Sequence, residues 1–324
     1  MRRQTGTKAV SEERAGPPPH PSILVSGNSP VYRTSSGAAY EGDASQIMRA
    51  MPNACVDLVV TSPPYALHFK KAYGNVAKDE YVRWFLPFAA EIKRLLTPTG
   101  SFVLNIGGSY NQGAPTRSLY HFRLLLALCD EVGFHLAQEC FWYNPAKLPA
   151  PAEWVNVRRV RVKDSVEYVW WLARSPWPQA DNRGVLGPYS ADMERLLIRG
   201  YKAKKRPSGH SITPKFGNHR GGAIPSNLIE RGNNESNSEY IRASKEAGQT
   251  VHPARFPAAL PEFFIKLLTL PGALVLDPFA GSNTTGRVAE DLGRRWIAVE
   301  LSRDYVENSA LRFKPLEVQP SIAK

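Results

Sequence analysis

The hydrophobic and polar positions of the chain predict an alternating series of strands and helices. Apolar runs that stop at a turn indicate buried strands, and longer stretches with apolar residues three and four apart indicate amphipathic helices. By these patterns the first half of the chain carries a short strand, a helix and a strand within 31–61, then a helix over 80–96 and a strand over 101–107. A helix over 118–134 follows, and then strands over 135–145 and 164–175, the last almost entirely apolar and expected inside the sheet.

This alternation breaks after Pro176 and resumes near residue 251. Residues 177–250 are rich in Gly, Pro, Ser and Asn with scattered basic residues, and only 191–200 reads as a helix. Long irregular segments inside a compact chain are usually functional or disordered. The pattern then continues with a helix over 256–270, a strand, a glycine-containing loop and a helix within 272–293, a strand over 294–300 and a helix over 304–313.

Alternating strands and helices are typical of a doubly wound α/β fold. The sequence therefore predicts one sheet built from two stretches of the chain, residues 31–176 and 251–324, with residues 177–250 inserted between them. The polar, proline-containing residues 1–30 have no apolar core like that of a signal peptide, and we expect them to form a mobile N-terminal tail.

Composition excludes several classes of protein. The 324 residues are 43% hydrophobic, which is enough for a large core, and no run of about 18 apolar residues predicts a membrane span. The three cysteines, Cys55, Cys129 and Cys140, form no CxxC pair. We therefore expect no disulfide framework and no metal site, and we predict a reducing, cytoplasmic location.

The formal net charge of +12 favours a polyanionic partner, nucleic acid before a membrane surface. A basic protein without such a partner also fits the charge alone. Between Arg199 and Arg220 the insert contains no acidic residue. Its predicted nucleic-acid contacts, for which a solvated linker is the alternative, are Lys202, Lys204, Lys205, Arg206, Lys215 and Arg220.

The apolar run 56–60 stops at Thr61, where the chain reads Thr-Ser-Pro-Pro-Tyr. Two consecutive prolines cannot donate hydrogen bonds to a sheet, and each restricts the residue before it. A strand should therefore end at this point with a rigid tip that carries a hydroxyl, on Ser62, and an aromatic ring, on Tyr65. Taken alone, the same residues also fit a purely structural turn.

A second strand end combines a glycine loop with a later acid. Asp277 ends an apolar strand, the loop Pro278–Gly281 follows, and a helix begins near Thr284. Ligands of doubly wound folds bind at this edge of the sheet, and Gly281 allows a close approach to the backbone. Glu300 lies 23 residues after Asp277 at the end of the next strand, where a carboxylate can accept hydrogen bonds from a ribose. The loop matches neither GxGxxG nor GxxxxGK[ST], so nicotinamide and ATP sites are disfavoured.

Together these motifs resemble the AdoMet-dependent DNA methyltransferases that modify exocyclic amino groups. The stretch DPFAGSNTTG is similar to their methionine-side cofactor loop, Glu300 to their ribose-binding acid, and TSPPY to their catalytic tetrapeptide. VHPARFP, residues 251–257, resembles the segment before that loop, and EGDA resembles their adenine contact. The resemblance implies catalytic roles for Ser62, Pro63, Pro64 and Tyr65, and cofactor binding by Asp43, Thr61, His252, Pro253, Asp277, Pro278, Phe279, Ala280, Gly281, Ser282, Thr284 and Glu300.

In this chain the catalytic motif precedes the cofactor loop, as in the circularly permuted beta group of the family. The resemblance thus implies a permuted Rossmann-like methyltransferase sheet with a catalytic half at 31–176, an AdoMet-binding half at 251–324 and a basic target-recognition insert at 177–250. The order speaks against the related enzymes that methylate a glutamine of release factors, because their cofactor loop comes first and their tetrapeptide begins with Asn.

The resemblance also suggests how the tetrapeptide works. The Ser62 hydroxyl and the Pro63 carbonyl would accept the two amino hydrogens of a flipped-out base out of the base plane, an interaction strongest in the transition state. Tyr65 would offer a face on which that base stacks. Ser at the first position is usual for cytosine-N4 enzymes, while adenine-N6 remains the alternative. Trp142, Lys147 and Trp154 are candidates for lining the target pocket or bordering the DNA groove, with core packing and surface charge as the alternative. Lys147 and Arg158 are candidates for contact with double-stranded DNA, although Arg158 also fits a solvated strand face.

Three further questions stay open at this point. A DNA-binding module without activity, or a methyltransferase acting on RNA or protein, would share part of the pattern. The resemblance also leaves open whether the chain forms a homodimer. Whether it is paired with a cognate restriction endonuclease or acts alone cannot be read from the sequence.

Overall fold

The computed structural model describes residues 18–66, 76–200, 214–233, 238–253 and 255–313. Most of the N-terminal tail therefore lies outside the described residues. The same is true of four predicted DNA contacts in the insert, Lys202, Lys204, Lys205 and Arg206.

The described chain forms a mixed sheet flanked by helices. Its strands are β1 (Tyr32–Arg33), β2 (Gly37–Glu41), β3 (Val56–Thr61), β4 (Leu96–Ile106), β5 (His135–Tyr143), β6 (Val166–Ala173), β7 (Leu228–Glu230), β8 (Leu274–Asp277) and β9 (Arg295–Glu300). Its α-helices are α1 (Ala44–Arg49), α2 (Tyr81–Leu95), α3 (Tyr120–Asp130), α4 (Ala191–Arg199), α5 (Glu239–Glu246), α6 (Ala259–Leu268), α7 (Thr284–Asp291) and α8 (Arg303–Ser309).

The strands are ordered β1-β2-β9-β8-β3-β4-β6-β5-β7. The five strands from β2 to β4 in this order are parallel to one another, whereas β6 runs antiparallel to both β4 and β5. The predicted doubly wound, permuted α/β sheet is thus confirmed. The apolar strand β6 lies inside the sheet, as its composition indicated, but as part of an antiparallel pair.

Helices cover both faces of the sheet, which explains why the central strands are apolar on both sides. One core cluster packs α1, α2 and α3 against the sheet, and a second packs α6, α7 and α8 against the opposite face. In β3 five of the six residues are buried. The exception, Asp57, is half-buried and accepts a hydrogen bond from the Leu274 amide at 2.8 Å, which joins β3 to the start of β8.

The structure differs from the predicted elements in three places. Strand β2 was not predicted, although it pairs in parallel with β9. Residues 97–100, between the predicted helix and the predicted strand, lie within β4. Val56 pairs with Leu96 but Leu58 pairs with Ser101, so the intervening residues of β4 bulge out of the ladder. The insert supplies β7, which pairs with β5, and helix α5, because tertiary contacts order segments whose local sequence is a weak signal.

The N-terminal segment is also more ordered than predicted. Residues Pro21–Leu24 form a 3-10 turn in which Pro21 and Ser22 are buried, and Val25 belongs to the core. The Tyr40 hydroxyl donates to the Ser22 carbonyl at 3.3 Å. This part of the tail predicted for residues 1–30 therefore packs on the sheet, because it buries apolar surface there.

Strands β3 and β8 are neighbours although more than 200 residues separate them in sequence. From β3 the chain proceeds through α2 to β4 on one side, and from β8 it proceeds through α7 to β9 on the other. The two strand tips therefore meet at the point where the strand order reverses, which is where doubly wound folds bind their ligands. None of the described helices is long and apolar enough to cross a membrane.

Candidate active site

A side-chain hydrogen bond joins the two strand tips. Thr61 Oγ1 at the end of β3 donates to Asp277 Oδ1 at the end of β8 over 2.6 Å. Asp277 also accepts from the Phe279 amide at 3.1 Å and from Thr285 Oγ1 at 2.7 Å. Burial raises the pKa of Asp277 from an ordinary 3.8 to about 6, although the hydrogen bonds from Thr61 and Thr285 oppose that shift.

Thr61 and Asp277 do not line the cleft beside them, although both were predicted to bind cofactor. Their exposed fractions are 0% and 2%. Their side chains instead hold the two loops in a fixed relation beneath the cleft.

The loop after β8 requires glycine at one position. Gly281 has a φ of +52°, in the left-handed region, and a Cβ there would lie 3.2 Å from the His252 ring. Asn283 caps the start of helix α7, and its side chain accepts from the Gly286 amide at 3.0 Å. A bare backbone thus faces the cleft directly before a helix N-terminus, as the sequence predicted.

Glu300 is positioned by backbone donors. Its Oε2 accepts from the Gly281 amide at 2.9 Å, and its Oε1 accepts from the Ser302 amide at 3.0 Å. Each carboxylate oxygen retains a further lone pair, because a carboxylate offers about four acceptor sites. The acid at the tip of β9 is therefore fixed against the glycine loop and remains able to accept from a ligand hydroxyl.

One residue that supports this loop was not predicted. Arg312 donates to the carbonyl of Ser282 and, at 2.9 Å, to its hydroxyl. The Arg312 guanidinium also lies 4.0 Å from the centre of the Tyr240 ring on α5. The glycine loop is thereby tied to the last helix of the insert.

The loops border a cleft with a volume of about 490 Å³. Asp43 caps α1 by accepting from the Gln46 amide at 3.0 Å, and it stands at the cleft wall. His252 is 8% exposed and packs edge-on against Tyr305. The predicted site residues that line the cleft are Asp43, Ser62, Pro63, Pro64, Tyr65, His252, Pro253, Pro278, Phe279, Ala280, Gly281, Ser282, Thr284 and Glu300.

The other end of the cleft carries a network of polar side chains around Tyr65. The Ser62 hydroxyl lies 3.1 Å from the Tyr65 hydroxyl, which donates to Glu167 Oε2 at 2.8 Å. Asn105 Nδ2 donates to the Tyr65 hydroxyl at 2.7 Å and to Glu167 Oε2 at 3.2 Å. Burial, and next the charge of Glu167, hold the pKa of Tyr65 well above its usual range.

Lys147, predicted as a DNA contact, completes this network by donating to Glu167 Oε1 at 3.0 Å. Its side chain is 33% exposed, so it lies at the cleft rim. Trp142 lines the cleft and donates through Nε1 to the Arg231 carbonyl at 2.8 Å. Asn233 also lines the cleft, so residues of the insert contribute to its wall.

The remaining described candidates for DNA contact lie on the surface. Arg158 pairs with Glu153 at 2.7 Å in an exposed ion pair, which contributes little to stability. Lys215 and Arg220 of the insert are exposed. The structure does not bring these three residues into the network around Tyr65.

Sequence reasoning missed Asn105, Glu167 and Gly107 in this part of the cleft. The Tyr65 ring packs so closely on Gly107 that a Cβ there would lie 2.5 Å from it. Asn105 is the one polar residue of the apolar run 102–106 in β4, and Glu167 is the one charged residue of β6. A lone polar side chain in a strand that is otherwise apolar is the signal that was available in the sequence.

The residues of the cleft fit AdoMet. The volume lies within the usual range for small-molecule sites, about 300–1,000 Å³. Gly281 leaves room for a ligand against the backbone, and Glu300 offers acceptors for a ribose. Within the described parts of the chain, no group of three or more His, Cys, Asp or Glu side chains is arranged to hold a metal ion.

Comparison with known proteins identifies the class. The DNA methylase family of N6- and N4-specific enzymes matches residues 56–311. The chain belongs to this family of amino-group DNA methyltransferases.

Similar proteins agree with the family match. The type II methyltransferase M.PvuII of Proteus hauseri is 50% identical over 294 residues, which cover 90% of this chain and 88% of that protein. The type II methyltransferase M.ScaI of Streptomyces caespitosus is 28% identical, covering 86% of this chain and 81% of the relative.

Among solved structures, the PvuII DNA methyltransferase described as cytosine-N4-specific has a TM-score of 0.73 at 45% identity, covering 90% of this chain and 91% of that one. The complex of M1.HpyAVI with SAM, at 20% identity and a TM-score of 0.53, shares the fold and covers 85% of this chain and 98% of that one.

The chain is therefore an AdoMet-dependent DNA methyltransferase that acts on an exocyclic amino group, and its substrate is DNA. The predicted family, fold, reaction and cofactor are confirmed. The roles of individual site residues remain predictions.

Proposed function

We propose that the protein transfers a methyl group from AdoMet to the N4 amino group of a cytosine in duplex DNA. The observation that carries this choice of base is the extensive similarity to the PvuII enzyme, whose structure is described as cytosine-N4-specific. Ser62 at the first position of the tetrapeptide points in the same direction. An adenine-N6 product is the principal competing outcome.

The tetrapeptide would act by geometry. When bound, AdoMet supplies an electrophilic methyl group on a sulfonium. The amino group of a base is a poor nucleophile, because its lone pair is delocalised into the ring. Ser62 Oγ and the Pro63 carbonyl would accept the two amino hydrogens out of the ring plane and so favour the tetrahedral nitrogen of the transition state. Pro63 and Pro64 fix the direction of both acceptors.

The target base would have to leave the double helix to reach this position, because the tetrapeptide lies within the cleft. We propose that Tyr65 presents the exposed part of its ring to the flipped base, while its hydroxyl is engaged with Glu167. Stacking of this kind contributes about 1–3 kcal/mol per base, which offsets part of the unstacking energy.

The DNA would lie across the rim of this cleft. Lys147 at the rim, Arg158 on its neighbouring loop, and the basic insert would neutralise phosphates, so we propose binding that weakens steeply with salt. Asn233 and Arg231 bring the insert to the cleft wall, which supports a role of residues 177–250 in target recognition.

Product analysis tests the proposed base. The purified protein is incubated with labelled AdoMet and unmethylated bacterial DNA, and the DNA is digested to nucleosides that are identified by mass. We expect the label in 4-methyl-deoxycytidine. Label in 6-methyl-deoxyadenosine would keep the reaction and overturn the base, and label only on RNA or protein in parallel incubations would overturn the DNA assignment.

We further propose that the enzyme works in the cytoplasm as the methylating partner of a restriction endonuclease, because both similar proteins named above are type II methyltransferases. DNA from cells that express the protein should then resist one endonuclease and remain sensitive to others. We also propose that the protein forms a homodimer. Sedimentation with and without a DNA duplex measures its mass, and the mass of a single chain in both states would contradict dimerisation.

A further inference from the structure

The hydrogen bonds around Tyr65 have a direction that the chemistry of the groups imposes. The carboxylate of Glu167 can only accept, so the Tyr65 proton must point at Glu167 Oε2, 2.8 Å away. Asn105 turns its amide nitrogen toward the Tyr65 hydroxyl oxygen and Glu167 Oε2. The opposite amide orientation would bring its oxygen against the carboxylate, where two acceptors repel each other.

This direction extends to Ser62. Because the Tyr65 proton is committed to Glu167, the hydroxyl hydrogen between Ser62 and Tyr65 must belong to Ser62, which donates over 3.1 Å. The lone pairs of Ser62 Oγ are then left for an amino hydrogen of the target base. The chain of hydrogen bonds runs from the target amino group through Ser62 and Tyr65 to Glu167.

We propose that Glu167 is the terminal proton acceptor of the methyl transfer and that it fixes Ser62 as an acceptor toward the base. This role rests on the proposed placement of the target amino group at Ser62. It holds for a cytosine or an adenine amino group, since both present the same hydrogens.

The proton path balances at each step. The nitrogen lone pair forms the new bond to the methyl carbon as the carbon–sulfur bond breaks, and that electron pair leaves with sulfur. An N–H bond then breaks, and its electron pair returns to the nitrogen and the ring. This proton passes to Ser62 Oγ, the Ser62 proton passes to Tyr65, and the Tyr65 proton passes to Glu167 Oε2, which becomes a neutral carboxyl group. After product release, the proton is returned to water.

The surroundings of the chain suit this transfer. The Glu167 side chain is 16% exposed, so the path is largely shielded from water but ends near the rim. Lys147 holds Oε1 at 3.0 Å and leaves Oε2 for Tyr65. The raised pKa of Tyr65 keeps its hydroxyl protonated and able to donate before the reaction.

Single-turnover methylation of a duplex by four variants tests the proposal. Glu167→Gln keeps the size of the side chain and an oxygen that can accept from Tyr65, but it cannot take up a proton. Loss of a general base slows a reaction by about 10²–10⁴-fold, and we expect a slowing in this range. Tyr65→Phe should slow the reaction as well, since it removes the middle of the path. Glu167→Ala should be as slow as Glu167→Gln, and Glu139→Gln, an exposed glutamate on β5, is the matched control.

Binding measurements separate this role from a structural one. AdoMet affinity, affinity for the same duplex and melting temperature should stay near those of the parent protein in Glu167→Gln. If Glu167 only supports the fold of the cleft, Glu167→Gln will be nearly as fast as the parent and Glu167→Ala slow, which would overturn the proposal. If Glu167→Gln fails to fold, a Tyr65→Phe variant with the rate of the parent protein would overturn it instead. If Ser62→Ala does not slow the reaction, the proposed placement of the target amino group at Ser62 is wrong, and this outcome is distinct from a failure at Glu167.

Discussion

The two neighbouring strand tips of the cleft are organised in different ways. On the cofactor side the glycine loop and Glu300 lie within one stretch of the chain, in which Glu300 accepts from the backbone amides of Gly281 and Ser302. The target side is built from side chains of β4, β6 and the β3 tip, in which Tyr65 joins Ser62 to Asn105 and Glu167. The Thr61–Asp277 hydrogen bond connects the two sides.

This difference separates binding from chemistry. A backbone cradle provides a fixed, bare surface on which a common cofactor is held. A network of side chains can direct protons, because each hydroxyl both donates and accepts. We therefore expect substitutions on the cofactor side to act on AdoMet affinity, and those on the target side to act on the rate of transfer.

Replacement of Ser62 should give the largest effect of the changes at the two strand tips, and it would break the comparison if it changed AdoMet affinity and left the rate of transfer unchanged. Ser62→Ala removes one acceptor for the amino group, and we expect transfer to slow by about 10²–10³-fold, the cost of losing one such preorganised hydrogen bond. AdoMet affinity should stay the same, because Ser62 lies outside the glycine loop. Rapid-quench single turnovers and calorimetric titration measure the two quantities. Ser35→Ala, at an exposed position, is the control, and an unchanged rate in Ser62→Ala would refute the proposed mechanism.

The link between the two sides predicts a pH dependence of stability. The folded-state pKa of Asp277 is raised from 3.8 to about 6, so the folded protein binds this proton more tightly than the unfolded chain does. The stabilising contribution is therefore fully present below pH 3.8 and is lost as the pH rises through about 6. A shift of this size corresponds to about 3 kcal/mol in the free energy of unfolding.

Denaturant unfolding of the parent protein and of Asp277→Asn between about pH 4 and pH 7.5 measures this contribution. The free energy of unfolding of the parent relative to the variant should fall as the pH rises, since the amide introduced by the substitution does not titrate in this range. Parallel pH profiles for the two proteins would show that Asp277 is not the group responsible.

A change at Glu300 should have the smallest effect of the three, on AdoMet affinity. It tests from the cofactor side whether the two strand tips divide binding from transfer. Glu300→Gln turns the charged carboxylate into a neutral amide, in which an NH2 donor stands in place of one of the two acceptor oxygens. Hydrogen bonds to charged groups contribute about 1.5–3 kcal/mol. We expect AdoMet to bind about 10–100-fold more weakly, while transfer at saturating AdoMet stays close to the parent rate. Glu307→Gln, in an exposed pair with Arg303, is the control. A slower transfer with unchanged affinity would contradict the division between the two sides.

The cofactor side was largely predictable from the sequence. An apolar strand, a glycine loop, a helix start and an acid at the next strand end follow one another within residues 274–300, and their geometry depends on near neighbours. The rigid tip after β3 was predictable for the same reason, since two prolines restrict the chain locally. The roles of Thr61 and Asp277 were not, because only the sheet brings these two side chains together.

The sequence by itself determined most of the strands and helices outside the insert, the two loops at the cleft and the family to which the chain belongs. Local backbone preferences and hydrophobic periodicity are enough for the elements and loops, and the motifs at the two strand ends are enough for the family. Only the tertiary structure decided that Asn105, Lys147 and Glu167 meet at Tyr65, and that β7 of the insert joins the sheet. These contacts join residues that are far apart in the chain. Strand pairing across a crossover brings their side chains within hydrogen-bonding distance, and the local sequence does not encode that pairing.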